Sequence, residues 1–441
     1  MAGSLDGEEM AVAEHSLIYT LKHLRGNARG CVLTEPLWGI PFNLYSPYVS
    51  IYMLSFGLND VNIGLITSVG LFFQVFWTLM SGAITDKLGR KRATLIFDTI
   101  SWSVPTLIWA VARNPTYFFV AAIVNAVWRV THNSWNCLMV EDTDPRLLVD
   151  IYSWIYIAGL LAAFVSPLTG VLMARFGLVS TMRGLYLLAF VMMTAKFVLT
   201  NAMVTETEQG VARMAETAHQ GLFDVVRESP EVLRQILRSP ATLYMAGLMM
   251  ILTASWTIRG TFWSILVSQE ILIPDAHLAL YPFARSITML LFFFFAMPRL
   301  QRLAQLTPMG EWLLMGIGLV TFIVSQVVLV SVPVGGYGLL LVATILEGAG
   351  IPLTGTVLDK LTVVTVDPKE RARIMALVNV IVLIGVSPVG WLAGQLSAVN
   401  RRLPFMLVIV LFALAAVVVY LAHRSGQREA RARAAAEPAM T

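Results

Sequence analysis

The chain has 441 residues, 57% of them hydrophobic and 13% charged, with a mean hydropathy of +0.72. Soluble domains carry about 25% charged residues, so this composition excludes an ordinary water-soluble globule and points to an all-α protein embedded in a lipid bilayer. A net charge of +4 gives no ground for a nucleic-acid partner, and the only cysteines, Cys31 and Cys137, fall near expected cytosolic helix ends rather than in a disulfide framework.

Residues 1–30 are polar and carry Asp6, Glu8, Glu9 and Glu14, unlike a cleavable signal peptide. Leu17, Ile18, Leu21 and Leu24 recur at helical spacing beside Lys22 and Arg25. This is either a short amphipathic helix on the cytosolic membrane surface or a frayed tail. A membrane-crossing helix needs about 20 mainly apolar residues. Such stretches are expected at 33–57, 62–85, 93–112, 116–139, 151–174, 184–204, 241–268, 277–298, 310–332, 337–358, 374–396 and 403–423, spans 1 to 12. The polar stretch 205–240 separates spans 6 and 7, and its Val225, Val226, Val232, Leu233, Ile236 and Leu237 suit surface-lying helix. The expected organisation is a cytosolic segment (1–30), a six-helix bundle (31–204), a cytosolic linker (205–240), a second six-helix bundle (241–423) and a cytosolic tail (424–441). With both termini in the cytosol, most Lys and Arg fall to cytosolic segments, and the outer loops keep only Arg113, Arg175, Arg183, Arg401 and Arg402. That asymmetry supports both ends inside, in a multi-pass protein of the cell (inner) membrane.

In span 1, Glu35, Gly39, Asn43, Ser46 and Ser50 share one face, and Pro36, Pro41 and Pro47 predict a locally broken helix. Glu35, near the cytosolic surface, is either solvated, paired with Arg25 or Arg29, or a proton carrier. Between spans 2 and 3 lies GAITDKLGRKR, Gly82 to Arg92. Asp86 sits at the negative end of its own helix, while Arg90, Lys91 and Arg92 open the next one at its positive end. Neither charge stabilises its own helix, so Asp86 is expected to meet a partner from elsewhere, another helix N-terminus or a cation. Gly89 is expected to supply the positive-φ residue that ends the helix, and Gly82 to permit a close backbone approach. Asp98 of span 3 is expected to pair with the nearby basic cluster.

Span 4 places Asn125, Arg129, His132, Asn133 and Asn136 on one face, with Trp128 and Trp135 beside it. Arg129 lies near mid-membrane, so the face either lines a cavity or forms a buried network. Lys196 of span 6 is expected to snorkel toward the cytosol. Span 7 aligns Thr253, Trp256, Thr257, Gly260 and Ser264, with Arg259 off that stripe; Arg285 lies in span 8 near Tyr281 and Thr288. Glu347, the deepest acid, shares a face of span 10 with Thr344 and Thr354, and Pro352 frees backbone carbonyls there. It is either a proton carrier or a fixed partner of Arg285 or Arg259. The halves also echo each other: VSPLTG at Ser166 and Pro167 answers VSPVGW at Ser387 and Pro388, and TDPR at Pro145 answers VDPK at Pro368. Repeated halves in a helical membrane protein point to alternating access around a midplane site.

These features, above all the G-x-x-x-D-K-x-G-R-K sequence of the loop between spans 2 and 3, resemble the major facilitator superfamily over essentially the whole chain. The resemblance implies twelve transmembrane helices in two six-helix bundles related by pseudo-twofold symmetry. It implies a central cavity between spans 1, 4, 7 and 10, the spans that carry the polar stripes. It makes Gly82, Asp86, Gly89, Arg90 and Lys91 a cytosolic gate, with Asp86 facing the start of span 11. The matching stretch of the second half, MPRLQRLAQL from Met297, keeps basic residues but loses the glycines and the Asp, so that gate is one-sided. Arg129 occupies the position of an arginine that the family uses in substrate binding or proton relay, although His132 and Asn133 replace the expected glycine pair. S-P-L-T-G-V at Ser166 to Val171 departs from the family's antiporter signature, and VTETEQG departs from its sugar-porter pattern.

The chain has no G-x-x-x-x-G-K-[ST], H-E-x-x-H or G-x-S-x-G, and its six histidines and two cysteines show no metal-ligand spacing. An enzyme, a bound cofactor and a metal centre are therefore not expected, and the driving energy would come from a gradient. The expected function is secondary active transport of a small organic molecule, coupled to protons by antiport or symport, with efflux of drug-like or amphipathic compounds as the leading form and a functional monomer as the unit. Asn43, Asn125, Trp128, Arg129, Asn133, Trp256, Thr257 and Glu347 are the expected substrate contacts; Glu347, Arg129 and Glu35 are the expected proton-coupling groups. Two alternatives stand beside this. Arg129, Arg259 and Arg285 outnumber the one midplane acid, which suits an importer or facilitator of an anionic metabolite if the arginines converge on one cavity. A non-transporting receptor or scaffold is the third.

Overall fold

A computed structural model describes residues 24–219, 221, 240–305, 310–365 and 371–436. The amphipathic stretch 17–22, most of the linker, the tail beyond 436 and Pro368 with its neighbours lie outside the described residues. Among the described residues every regular element is helical. In chain order they are α1 (Gly26–Thr34), α2 (Pro36–Tyr45), α3 (Val49–Leu54), α4 (Asp60–Leu88), α5 (Arg90–Asp98), α6 (Val104–Ala110), α7 (Pro115–Asn125), α8 (Trp128–Val140), α9 (Leu148–Ala162) and α10 (Pro167–Phe176). They continue with α11 (Leu178–Met203), α12 (Glu208–Thr217), α13 (Pro240–Ile265), α14 (Leu280–Leu291), α15 (Met297–Gln305), α16 (Gly310–Val330), α17 (Tyr337–Thr365), α18 (Arg371–Val386), α19 (Val389–Val399) and α20 (Leu403–Ala436).

Among the described residues, eight helical stretches are long and apolar enough to cross a membrane, including Asp60–Leu88, Leu178–Met203, Ile374–Val399 and Leu403–Leu421. Spans 1, 3 and 4 are built from shorter pieces, which places polar residues at helix breaks. Span 1 breaks at Glu35 before Pro36 and again at a 3-10 turn over Ser46–Tyr48, while Pro41 sits inside α2. Proline removes a backbone donor and crowds the preceding turn, so the expected breaks follow its positions. Span 4 breaks between Asn125 and Trp128. Large apolar side chains remain exposed along the outside, including Phe72, Phe76, Val171 and Val191. In water that surface would be a liability, whereas in lipid it is the expected exterior.

Helix α4 is capped at its start by Asn59, whose side chain accepts from the Asn62 amide at 2.8 Å, and ends at Gly89 with φ +82°. At about 1.5 Å per residue it separates Asp60 from Leu88 by the thickness of a bilayer. Toward its Asp60 end it packs against α19 through glycine. A Cβ on Gly390 would stand 2.8 Å from the Gly64 carbonyl oxygen and 3.0 Å from the Ser68 amide. This is the small-residue contact that brings two membrane helices together. The hydrogen bonds that join residues 31–204 to residues beyond 240 gather toward this end. Ser397 Oγ donates to Asp60 at 2.6 Å, the Trp391 amide to Ser68 Oγ at 2.7 Å, Ser50 Oγ to the Thr261 carbonyl at 2.6 Å and the Ala279 amide to Tyr48 at 3.1 Å. Gly82, expected to permit a close approach, instead faces open space.

Gly390→Leu is therefore expected to lower stability by about 1–3 kcal/mol through overpacking, read as a lower midpoint of thermal unfolding in detergent. A midpoint equal to wild type would show that the α4–α19 contact is loose.

Candidate substrate cavities

Two cavities open inside the helices and meet at Phe42. The first, of about 370 Å³, is lined by Glu35, Trp38, Asp98, Trp102, Trp128, Thr131, His132, Trp135 and Lys196 as well as Phe42. Its aromatic wall is ordered: Trp38 stacks on Phe42 with ring centroids 4.6 Å apart, and Trp102 meets Trp38 edge-on at 5.1 Å. Lys196 does not snorkel. It is buried, its ammonium donates to Glu35 at 2.8 Å, and it stands 5.4 Å and 6.0 Å from the Trp135 and Trp38 ring centres. Glu35 therefore pairs with Lys196, not with Arg25 or Arg29. Asp98, expected to pair with the basic cluster, is buried on the same cavity with the Thr131 hydroxyl beside it and no ion pair among the described residues.

The second cavity, of about 310 Å³, lies between α2, α13, α14 and α17 and includes Asn43, Trp256, Trp263, Tyr281 and Thr344. Its charged floor is a triad. Glu347 Oε1 accepts from Arg285 at 2.8 Å and also from Arg259. Arg259 and Glu347 are each 5% exposed in their side chains and Arg285 35%. Arg259 is sandwiched between the Trp256 and Phe322 rings at 5.0 and 5.3 Å, a geometry that suits a guanidinium. Arg259, set aside on the sequence because it lies off the stripe of span 7, thus reaches the site by pointing sideways at α17.

Of the expected substrate contacts, Asn43, Trp256 and Glu347 line the second cavity and Trp128 the first. The others find protein partners. Asn125 donates to the Ser101 carbonyl at 2.7 Å, Arg129 Nε to Gln74 at 2.9 Å, Asn133 to Thr85 at 3.2 Å and Thr257 to the Thr253 carbonyl at 2.9 Å. Arg129 also covers the Trp128 ring at 4.3 Å. The polar face of span 4 is thus divided: Arg129 and Asn133 bind α4, while Trp128, Thr131, His132 and Trp135 face the cavity. The break at Ala126 and Val127 and the lateral reach of long side chains explain the division, which residue spacing alone does not reveal.

At the other end of α4, Asp86 accepts from Arg90 at 3.0 Å and from Arg213 of α12 at 3.0 Å. Buried Arg90 also donates to Glu141 at 2.9 Å. The Glu206 carboxylate takes the backbone N–H groups of Arg90 and Lys91 at 2.8 and 3.0 Å. An anion thus sits at the positive end of α5, which answers the unfavourable start that its basic residues create. Asp86 has its cation from elsewhere in Arg213. Among the described residues, the ion pairs of Asp86 are with Arg90 and Arg213, and none is with the start of span 11 that the family resemblance sets opposite it.

The model of the "MFS_1 like family" matches residues 42–358. No curated protein matches the sequence. Among solved structures, the nucleoside transporter NupG superposes with a TM-score of 0.66 at 17% identity, covering 91% of this chain and 99% of its own. The POT family transporter PepTSo gives 0.67 at 15% identity, covering 91% and 98%. The human organic anion transporter MFSD10 gives 0.62 at 14%, covering 89% and 98%. At these identities the likeness is one of fold.

Lys196→Met would strand the Glu35 carboxylate, and breaking a buried pair from one side costs about 3–5 kcal/mol. The double variant Glu35→Gln/Lys196→Met should recover most of that loss. Denaturation of the three proteins in detergent checks this, and a double variant no better than the single one would refute the pairing.

Proposed function

The chain belongs to the major facilitator superfamily and is a membrane transporter, and we propose that it moves a small amphipathic organic molecule by alternating access, driven by a proton gradient. The observation that carries this reading is the pair of aromatic-walled cavities meeting at Phe42, each holding buried ionisable side chains. Intramembrane charges are costly and mark substrate or ion pathways. Twelve spans in two six-helix bundles of pseudo-twofold symmetry, 31–204 and 241–423, are part of the same proposal. So are the 205–240 linker, a place in the inner cell membrane and cytosolic termini. The glycine contact and hydrogen bonds gathered toward Asp60 support a state closed on that side, which this orientation makes the outer one.

Coupling is assigned to the first cavity. There two carboxylates, Glu35 and Asp98, stand against one ammonium, Lys196, which pairs with Glu35 alone, so one added proton would balance the charge. Glu347 is less suited to that part, because two guanidinium groups already compensate it. That geometry supports the salt-bridge alternative for Glu347. Arg129, bonded to Gln74, is a positioning group for Trp128.

In proteoliposomes on a solid-supported membrane, substrates from a broad panel should evoke proton currents that Glu35→Gln abolishes while the protein remains folded. Currents that persist in Glu35→Gln would remove the coupling assignment, and a panel that evokes transport indifferent to pH would remove proton coupling altogether. Asp86→Asn should release Arg213 and shift the resting population toward a cavity open to the cytosol. A cysteine placed at exposed His132, in a background without Cys31 and Cys137, would then react faster with a maleimide. An unchanged rate would argue against a latch.

A further inference from the structure

The second cavity contains an imbalance that the transporter reading leaves unused. Arg259, Arg285 and Glu347 are the only charged side chains lining it among the described residues, two cations against one anion. A buried charge without a counter-charge is unfavourable. Arg259 is 5% exposed and its Nη1 has no hydrogen-bond partner. Arg285, 35% exposed, is the one member of the triad that reaches open space. Beside these cations stand flat apolar surfaces, with Trp256 48% exposed and Phe42 and Trp263 on the cavity wall.

We propose that this cavity binds the anionic head, a carboxylate or phosphate ester, of a substrate that also carries a flat ring. The anion takes the free donors of Arg285, whose planar fork matches a carboxylate or a phosphate in two-point contact, while buried Arg259 adds its positive charge from behind. The ring lies against Trp256 and Trp263. Glu347 keeps Arg259 in place through their hydrogen bond and sets the net charge of the empty site at one positive unit. The inference deepens the transporter reading by naming a substrate class, and it rests on that reading only for what happens after binding.

Equilibrium dialysis of the detergent-purified full chain tests it with four probes: 2-naphthoate, 2-naphthyl phosphate, neutral 2-naphthamide and cationic 2-naphthylmethylammonium. At least one anion should bind saturably, and about tenfold or more tighter than the amide or the ammonium, roughly the strength of one charge-assisted contact. The two anions separate carboxylate from phosphate recognition. Arg285→Gln should bring the preferred anion down to the level of the amide, with Arg285→Lys falling between. Glu347→Gln raises the positive charge and should tighten anion binding, so a failure of either variant to fold leaves the other to decide. An amide that binds as tightly as the anions, a cation that binds more tightly, no saturable anion binding, or indifference to both variants would overturn the proposal. Anion binding without passage across proteoliposomes would keep the site and sink the transporter reading. Transport of neutral or cationic compounds without anion binding would sink the site alone.

Discussion

The constraint on which the interior depends is the cost of holding charge where water is scarce. Several deep charges are answered by partners from distant helices. Glu35 is answered by Lys196, and Glu347 by both Arg259 and Arg285. The partners fix relative positions as well as charge. The Arg259–Glu347 pair ties α13 to α17, and the Lys196–Glu35 pair ties α11 to the break between α1 and α2. Helices that are apolar on most faces have few other means of choosing a rotation against their neighbours, since lipid rewards no apolar face over another.

The two ends of α4 show a different economy. Near Asp60 the contact is close, made by glycine backbones and short hydroxyl bonds. Near Asp86 it is made by long charged side chains from Glu141 at the end of α8, the 206–207 turn and α12. Close packing is lost outright when surfaces part, whereas the half-exposed Asp86–Arg213 pair is of the weak kind that re-forms readily, unlike the buried Arg90–Glu141 pair beside it. At the Asp86 end α12 contributes one such exposed contact, through Arg213.

Much of this was legible in the sequence, for specific reasons. Span 1 breaks at Pro36 and around Pro47, though not at Pro41, and Gly89 ends α4 with the positive φ expected of it. Asp86 takes an outside cation, as the two misplaced charges required. The illegible part concerns where long side chains point. Lys196 lies close enough to the end of its span to suggest snorkelling, yet an acid 161 residues earlier in the chain holds it inside. Arg259 lies off the polar stripe of its helix and still reaches the cavity. Asn125, Arg129 and Asn133 lie on the right face and spend their donors on neighbouring helices. Helical periodicity gives the direction of Cβ, and a guanidinium can travel several ångströms from there.

The separation of these partners along the chain has a consequence for biogenesis. Glu35 enters the membrane long before Lys196 has been synthesised, and Arg259 and Arg285 precede Glu347 by 88 and 62 residues. During translation each early charge must remain near water, at the interface or in the insertion machinery, until its counter-ion arrives. The first cavity can close only once α11 is made, and the second only once α17 is. The chain's own order of synthesis thus delays burial of each set of charges until the last helix of that cavity is made, which makes α11 and α17 decisive steps of assembly.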